Sequence, residues 1–254
     1  SKTIRKSHEK PNIKKLYEIE YDEIVIFKKR ITRFTVEFKF KNSSQTKNHV
    51  NGNFAHLHDS GRLEELLIEG HELLIKYIDK KERKTNWDIV AVKIDKEVIL
   101  INSAYHRYIA EQILKDENLS PFGEIITFKP EIKYKNSRID FYIETKTEKI
   151  YIETKGCTLV EEGVAKFPGA PSSRAVKHLN ELMELKDKGF RTAVLILIFR
   201  KSEYFKPEYN IDPLFSRKFY EVMVKGVEIY PMILDYKNKI IIFRKVIKIF
   251  EKNF

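Results

Sequence analysis

The stretch Ser137-Arg138-Ile139-Asp140-Phe141-Tyr142-Ile143, with Ile150-Tyr151-Ile152-Glu153-Thr154-Lys155 shortly after it, decides how the second half of this chain folds. In the first run Ile139, Phe141 and Ile143 alternate with Arg138, Asp140 and Tyr142, the period of a half-buried strand. In the second, Ile150, Ile152 and Thr154 alternate with Tyr151, Glu153 and Lys155, so the glutamate and the lysine share a face. The polar segment Glu144-Thr145-Lys146-Thr147-Glu148 separates them, and a two-residue turn at Lys146-Thr147 places Asp140 directly opposite Glu153. Opposed residues have Cβ atoms about 4.5–5.5 Å apart, and like charges so placed destabilise a sheet. A divalent cation turns that repulsion into coordination by hard oxygen ligands, as Mg²⁺ prefers. A one-residue slip in register would send Asp140 to the other face. An Asp followed by Glu-x-Lys also arises by chance in a chain with 33% charged residues, so the surroundings decide.

The chain has 254 residues, 42% of them hydrophobic, enough for a sizeable core and two domains. Its formal net charge of +11 points to a polyanionic partner. A single cysteine, Cys157, excludes an intramolecular disulfide and fits a reducing cytoplasm. No run approaches the roughly 18–20 apolar residues that span a membrane. The longest, Ala193 to Phe199, has the length of a buried strand. The polar, basic N-terminus shows no signal peptide. The expectation is a cytoplasmic protein without a membrane partner.

Residues 1–18 are polar and Lys-rich and read as a tail or loosely attached arm. Phe34, Val36, Phe38 and Phe40 then alternate with polar residues as a long strand, Lys41–Asn53 reads as a hairpin loop, and Leu73, Ile75 and Tyr77 resume strand patterning. Short strands without a long helix up to about Arg83 describe a small β-barrel. The charged segment Asp79–Thr85 marks a candidate boundary, giving domains 1–85 and 86–254. Beyond it come strands at about 87–94 and 97–102, a helix from Ser103 with that serine as N-cap, and a strand at 124–133. The two acid-bearing strands follow, then a loop from Cys157 to Pro171. A helix from Ser172 to Lys188 is stopped by Gly189, and the strand Thr192–Phe199 comes next. The chain closes with a helix at 212–225 and strands at 226–234 and 238–249. This interleaving is α/β or α+β.

On a helical wheel Arg174, Lys177, His178 and Glu181 occupy one sector and Val176, Leu179, Leu182 and Met183 the opposite one. Such a helix presents Arg, Lys and His to phosphates, or simply to solvent. The loop Phe167-Pro168-Gly169-Ala170-Pro171 that leads into it is shaped by two prolines. His56-Leu57-His58-Asp59 lacks further ligands at zinc-like spacing. Asp59 and Ser60 are better read as bonding their own backbone before a short helix, with Arg62 facing a nucleic acid. Glu111, on the helix opening the second domain, is a candidate third carboxylate; Glu131 is the weaker alternative.

These motifs in this order resemble the sugar fermentation stimulation protein A family, SfsA, from about Lys28 to Tyr230. The resemblance lies in Arg30-Ile31-Thr32-Arg33-Phe34, Ala55-His56, Ser60-Gly61-Arg62, Ser137-Arg138-Ile139-Asp140-Phe141, Glu153-Thr154-Lys155, Thr158-Leu159-Val160, Phe167-Pro168 and Lys177-His178-Leu179-Asn180-Glu181-Leu182. It implies an N-terminal OB-fold barrel followed by a restriction-endonuclease-like PD-(D/E)XK domain, a mixed central sheet flanked by helices. It also implies DNA binding without sequence specificity. Asp59 and Gly169 depart from the family pattern, the first placing an acid near an expected phosphate contact, the second removing an acidic contributor.

The combined expectation is a DNA phosphodiesterase dependent on Mg²⁺ or Mn²⁺. Asp140, Glu153 and the Thr154 carbonyl would hold the ion, Lys155 would act on the water, and Glu111 is the additional catalytic candidate. Arg33, Arg62, Arg138, Arg174, Lys177 and His178 would contact the DNA. The alternative is a DNA-binding protein, regulatory in role, that keeps the scaffold without cutting. A carbohydrate-acting enzyme with Asp140 and Glu153 as acid and base leaves Lys155 and the basic helix face unexplained. The oligomeric state is open, a homodimer included.

Overall fold

A computed structural model of the chain describes residues 14–42, 53–59 and 61–252. The expected tail up to residue 13, most of the expected loop at 41–53, and Ser60 lie outside the described residues.

The N-terminal half contains β1 (Lys14–Glu18), β2 (Glu23–Thr32), β3 (Thr35–Lys39), β4 (Phe54–His56), β5 (Glu72–Tyr77), β6 (Trp87–Ile94) and β7 (Glu97–Leu100). Six of these form a sheet in the order β4-β3-β2-β5-β6-β7, and β4 pairs again with β6 where His56 meets Asp88. That second pairing closes five strands into an OB-type barrel and leaves no free edge between them. Val25, Val36, Phe38, Leu73, Ile75 and Ile89 are buried in its core.

A 3₁₀ turn at Ser103–Tyr105 leads into α1 (His106–Lys115), followed by β8 (Thr127–Tyr134), β9 (Ser137–Glu144), β10 (Lys149–Cys157), β11 (Leu159–Glu161) and β12 (Val164–Phe167). Next come α2 (Ser173–Asp187), β13 (Arg191–Ile198), β14 (Tyr204–Pro207), α3 (Pro213–Val224), β15 (Glu228–Lys237), β16 (Ile240–Val246) and β17 (Lys248–Ile249). The main sheet is mixed, in the order β1-β16-β15-β13-β10-β9-β8, with β13 parallel to both β10 and β15. Strand alternation splits its two faces. Ile150, Ile152, Ala193 and Leu195 share a core with Ile109, Ala110 and Ile113 of α1 and with the barrel, whereas Val194 and Ile196 pack with α2 and α3.

Four expectations need correction. The charged segment Asp79–Thr85 joins β5 to β6 within the barrel sheet, where Arg83 pairs with Asp88 and Thr85 is buried, and the change of sheet falls after Leu100. Lys14–Glu18 is an edge strand of the main sheet rather than tail, because Leu16 and Tyr17 pack on the core and Lys14 reaches Asp116 at 2.7 Å. The expected loop Cys157–Pro171 holds β11 and β12, which form a small sheet with β14 and β17. Asn102, not Ser103, caps the first turn by accepting from the Ala104 amide at 3.0 Å, while the Ser103 hydroxyl donates to the His58 carbonyl at 2.8 Å and ties α1 to the barrel. Elsewhere the local signals act as read: Ser172 accepts from the Ala175 amide at 3.1 Å to start α2, and Gly189, at φ +97°, follows its end. Among the described residues no helix is long and apolar enough to cross a membrane.

Candidate active site

β9 and β10 form the hairpin that the alternation predicts. Ile150 pairs with Ile143 and Ile152 with Phe141, and the Thr145 amide donates to the Glu148 carbonyl at 3.0 Å across the Lys146-Thr147 turn. Continuing that register sets Glu153 opposite Asp140. The backbone ladder stops one pair short of them, and the Thr154 amide donates instead to Asp140 Oδ2 at 2.7 Å. The Asp140 side chain therefore takes over where the two strands stop exchanging backbone bonds.

Glu153 is buried, and its Oε1 lies 3.1 Å from His178 Nδ1 and 3.4 Å from Lys155 Nζ. Lys155 Nζ is also 2.7 Å from His178 Nδ1. The other carboxylate oxygen, Glu153 Oε2, is buried with no hydrogen-bond partner. Burial, reinforced by the charge of Glu153, pushes the Asp140 carboxyl up to about 7. Burial alone would also raise Glu153, but His178 and Lys155 outweigh it and hold that carboxyl below its usual range. One acid is thus poised to lose a proton near neutrality while its neighbour stays ionised, a division of roles typical of functional carboxylate pairs.

Sequence reasoning placed His178 on the exposed, phosphate-contacting face of its helix. It is 5% exposed and faces the sheet, as does Glu181, which accepts from the Ser137 hydroxyl at 2.6 Å. The reason is that α2 is covered by α3 as well as by the sheet, so its buried arc is wider than one apolar stripe and takes in the side chains above Glu153 and Ser137. His178 positions Glu153 and Lys155 and shows only 5% of its surface, at the recess it shares with Arg138, Arg174 and Lys177. Glu111 is not brought to Asp140 either. Its carboxylate pairs with Lys115 at 2.7 Å on α1, whose buried side chains pack on the opposite face of the sheet. Glu131 pairs with Arg107 of the same helix at 3.1 Å, from a left-handed backbone at φ +53°.

The remaining predicted contacts gather in two recesses beside the pair. Asn136, Ser137, Arg138, Ser173, Arg174 and Lys177 line one of about 570 Å³, with His178 at its floor. Arg33 and Arg62 line a second, of about 500 Å³, between the barrel and the chain just beyond Lys155, Gly156 to Thr158. Four acids share the second recess: Asp59 turns back to accept from the Gly61 amide at 2.7 Å, Glu161 is paired with Lys166 at 2.7 Å, and Glu64 and Glu65 form no ion pair with the described residues. Among the described residues Arg83, Arg107, Arg191, Arg200 and Arg244 all pair with carboxylates, whereas Arg33, Arg62, Arg138 and Arg174 pair with none. Arg30 and Arg217 pair with no carboxylate either, but Arg30 is taken up by backbone carbonyls and Arg217 by the Tyr209 hydroxyl.

Two residues that sequence reasoning did not single out build this arrangement. Arg30 donates to the carbonyls of Arg33, Gly61 and Arg62 at 2.7 Å and of Asp59 at 3.2 Å, fixing the Arg33 turn against the Arg62 loop. Gly156 lets His106 approach the active strand. A Cβ there would stand 2.0 Å from His106 Cε1, and the imidazole in turn stacks on Phe199 at 5.3 Å. Gly156→Ala is therefore expected to destabilise the fold by about 1–3 kcal/mol through overpacking. In a His106→Ala background the same glycine change should cost little, as read by urea denaturation.

Comparison with known proteins follows the same division. The family model described as "SfsA N-terminal OB domain" matches residues 29–101, and that described as "Sugar fermentation stimulation protein RE domain" matches residues 104–239. A sugar fermentation stimulation protein homolog of Methanosphaera stadtmanae is 45% identical over 223 residues, 85% of this chain and 89% of that one. A homolog from Thermosipho melanesiensis is 45% identical over 194 residues, 76% of this chain and 82% of that one. The solved structure of Pyrococcus furiosus SfsA in complex with Ca²⁺ is similar with a TM-score of 0.82 at 26% identity, covering 94% of this chain and 100% of that one.

Proposed function

Because the chain belongs to the sugar fermentation stimulation protein family, SfsA, we propose that it is a metal-dependent phosphodiesterase that binds DNA without strong sequence preference. The observation that carries the reading is the facing carboxylate pair with Lys155 beside it, one buried oxygen of Glu153 having no partner. Burying two acids together is unfavourable unless a cation or a proton joins them. Among the described residues no group of three or more His, Cys, Asp or Glu is disposed to hold a metal. The protein would therefore offer Asp140, Glu153 and the Thr154 carbonyl, the sparse set with which Mg²⁺ or Mn²⁺ keeps waters and substrate oxygens as its other ligands. The Ca²⁺ in the Pyrococcus furiosus relative supports a fold that accepts a hard divalent cation.

When bound, the ion would supply Lewis-acid activation of the phosphate and acidification of a water. The chain's own residues would do the rest. Lys155, held by Glu153 and His178, would orient the attacking water or offset negative charge growing on the phosphate. Arg138, Arg174 and Lys177 would hold the backbone on one side of the scissile bond and Arg33 and Arg62 on the other, positioning without reading bases.

The test is cleavage of single-stranded, duplex and branched DNA, and of RNA, in Mg²⁺, in Mn²⁺ and in chelator. Metal-dependent cutting of at least one is expected. Binding with no cutting of any would leave the non-cleaving DNA-binding protein. Salt dependence tests the grip separately, because each cation on a phosphate contributes about one to the slope of log K against log salt. Replacing Arg33, Arg62, Arg138 and Arg174 together by Gln is expected to lower that slope by about three to four in fluorescence anisotropy titrations.

A further inference from the structure

Phe34 lies in the tight turn between β2 and β3 and is 44% exposed, the only phenylalanine among the exposed large apolar side chains of the described residues. Singly exposed apolar side chains are ordinary on a protein surface, so it is what surrounds this ring that marks it out. The turn is firmly held. The Phe34 amide donates to Thr32 Oγ1 at 3.2 Å, its carbonyl accepts from the Leu57 amide at 2.9 Å, and Arg30 binds the neighbouring Arg33 carbonyl. The ring is backed by the His56 imidazole, stacked at 6.3 Å between centroids and 25° between planes, and His56 meets His58 edge-on at 4.4 Å. Ile31, 46% exposed, stands beside the same turn.

The charge around the ring narrows the occupant. The recess beneath the turn, about 520 Å³, is lined by Arg30, Ile31, Thr32, Arg33, Gly61, Arg62 and Ala170, with no acid among them. The Arg33 guanidinium sits over the Phe34 ring, 5.6 Å from its centroid, and with no carboxylate partner among the described residues to hold it there it is free to turn to a phosphate as a base takes the ring. A flat apolar ring next to unpaired guanidinium groups is complementary to a nucleotide, which joins a flat base to an anion. A base paired within a duplex has both faces covered by its neighbours and offers none to a ring on a protein turn. An unpaired base does.

We propose that Phe34, backed by His56 and flanked by Arg33 and Arg62, is a stacking platform for an unpaired base, so that the nucleic acid held by the barrel is single-stranded where it meets the recess. The proposal rests on the nucleic-acid reading above and adds the form of the substrate. Arg33 also lines the recess reached by Gly156 to Thr158, so a strand on the platform runs on toward Lys155.

The experiment measures binding of the full chain to oligo(dT) and to its duplex with oligo(dA), in chelator so that cutting plays no part. Loss of one base–aromatic stack is worth about 1–3 kcal/mol, or roughly 5- to 150-fold in affinity. Phe34→Ala is therefore expected to weaken oligo(dT) binding by about tenfold or more and duplex binding by less than about twofold. Phe34→Trp should keep the affinity and show indole fluorescence quenching on oligo(dT), a signal that a folding defect would not produce. An unchanged affinity of Phe34→Ala for oligo(dT), or an equal loss on both ligands, overturns the platform while leaving the nucleic-acid reading standing. No binding of either ligand by the unaltered protein overturns both.

Discussion

Asp140→Ala is expected to lower Mg²⁺-dependent cleavage by about 10³-fold, the several kcal/mol that a Lewis acid on the phosphate supplies, and to leave DNA binding within about twofold. The carboxylate does two things in the fold. It faces Glu153, and it accepts the Thr154 amide at 2.7 Å where the β9–β10 ladder ends. Alanine removes both, so a cutting defect alone could reflect a frayed strand. Asp140→Asn separates them, because its amide oxygen still accepts from Thr154 while the charge is gone. The proposal requires both variants to be equally inactive and the Asn variant to melt cooperatively. Arg33 and Arg62 hold their places through Arg30, Arg174 through α2, and Arg138 through its pairing with Lys133 of β8, none of them through Asp140, which is why binding should persist. An Asn variant that cuts at the normal rate would leave no role for the acid pair in catalysis, and the protein would stand as a binder of nucleic acid.

What could be read in advance was what depends on near neighbours in sequence. Asp140 and Glu153 are thirteen positions apart, joined by one short turn, and strand alternation settles both their face and their partner. The helix starts read at Ser172 and 212 are equally local, and each is set by a side chain accepting from an amide three residues on. His178 was misjudged because a wheel assumes one buried stripe, whereas α2 is covered on one side by the sheet, where β10 and β9 meet His178 and Glu181, and on another by α3. Glu111 was misjudged because helix periodicity does not say which face of a sheet the helix will cover. Arg30 was passed over because its carbonyl partners, Asp59, Gly61 and Arg62, lie about thirty residues away and carry no side-chain signal. The segment Asp79–Thr85 has the composition of a linker, and only the return of β6 beside β5 and β4 shows it to be a connection within the barrel. Local chemistry is thus legible, and the parts that arrange it from a distance are not.

The strain between the two acids should also be visible as a dependence of stability on pH. An Asp in an unfolded chain titrates near about 3.9. In the fold, burial and Glu153 push Asp140 up to about 7. Between those values the native protein holds a proton that the unfolded chain has released, so stability falls as pH rises through that window and levels off above it. The full shift corresponds to about 4 kcal/mol, and partial contact of Asp140 with solvent reduces it to about 2–3 kcal/mol, roughly 5–10 °C in Tm for a chain of this size. Glu153 shifts the other way, so its contribution is lost only as pH falls below the usual glutamate range, and the two windows do not overlap. Burial pushes His106 down to about 4, which adds to both proteins a stability that rises with pH, so the difference between them isolates Asp140. In chelator, the Tm of the unaltered protein relative to Asp140→Asn is therefore expected to fall progressively from pH 5 to pH 7.5, leaving the Asn variant the more stable of the two at pH 8. Adding Mg²⁺ or Mn²⁺ at pH 8 should restore the unaltered protein and do little for the Asn variant, and at about pH 7, where Asp140 is half-ionised, ion binding should release about half a proton. Parallel profiles for the two proteins, or equal stabilisation by the ion, would mean that the carboxylates do not share a site, and the metal-dependent mechanism would fall with them.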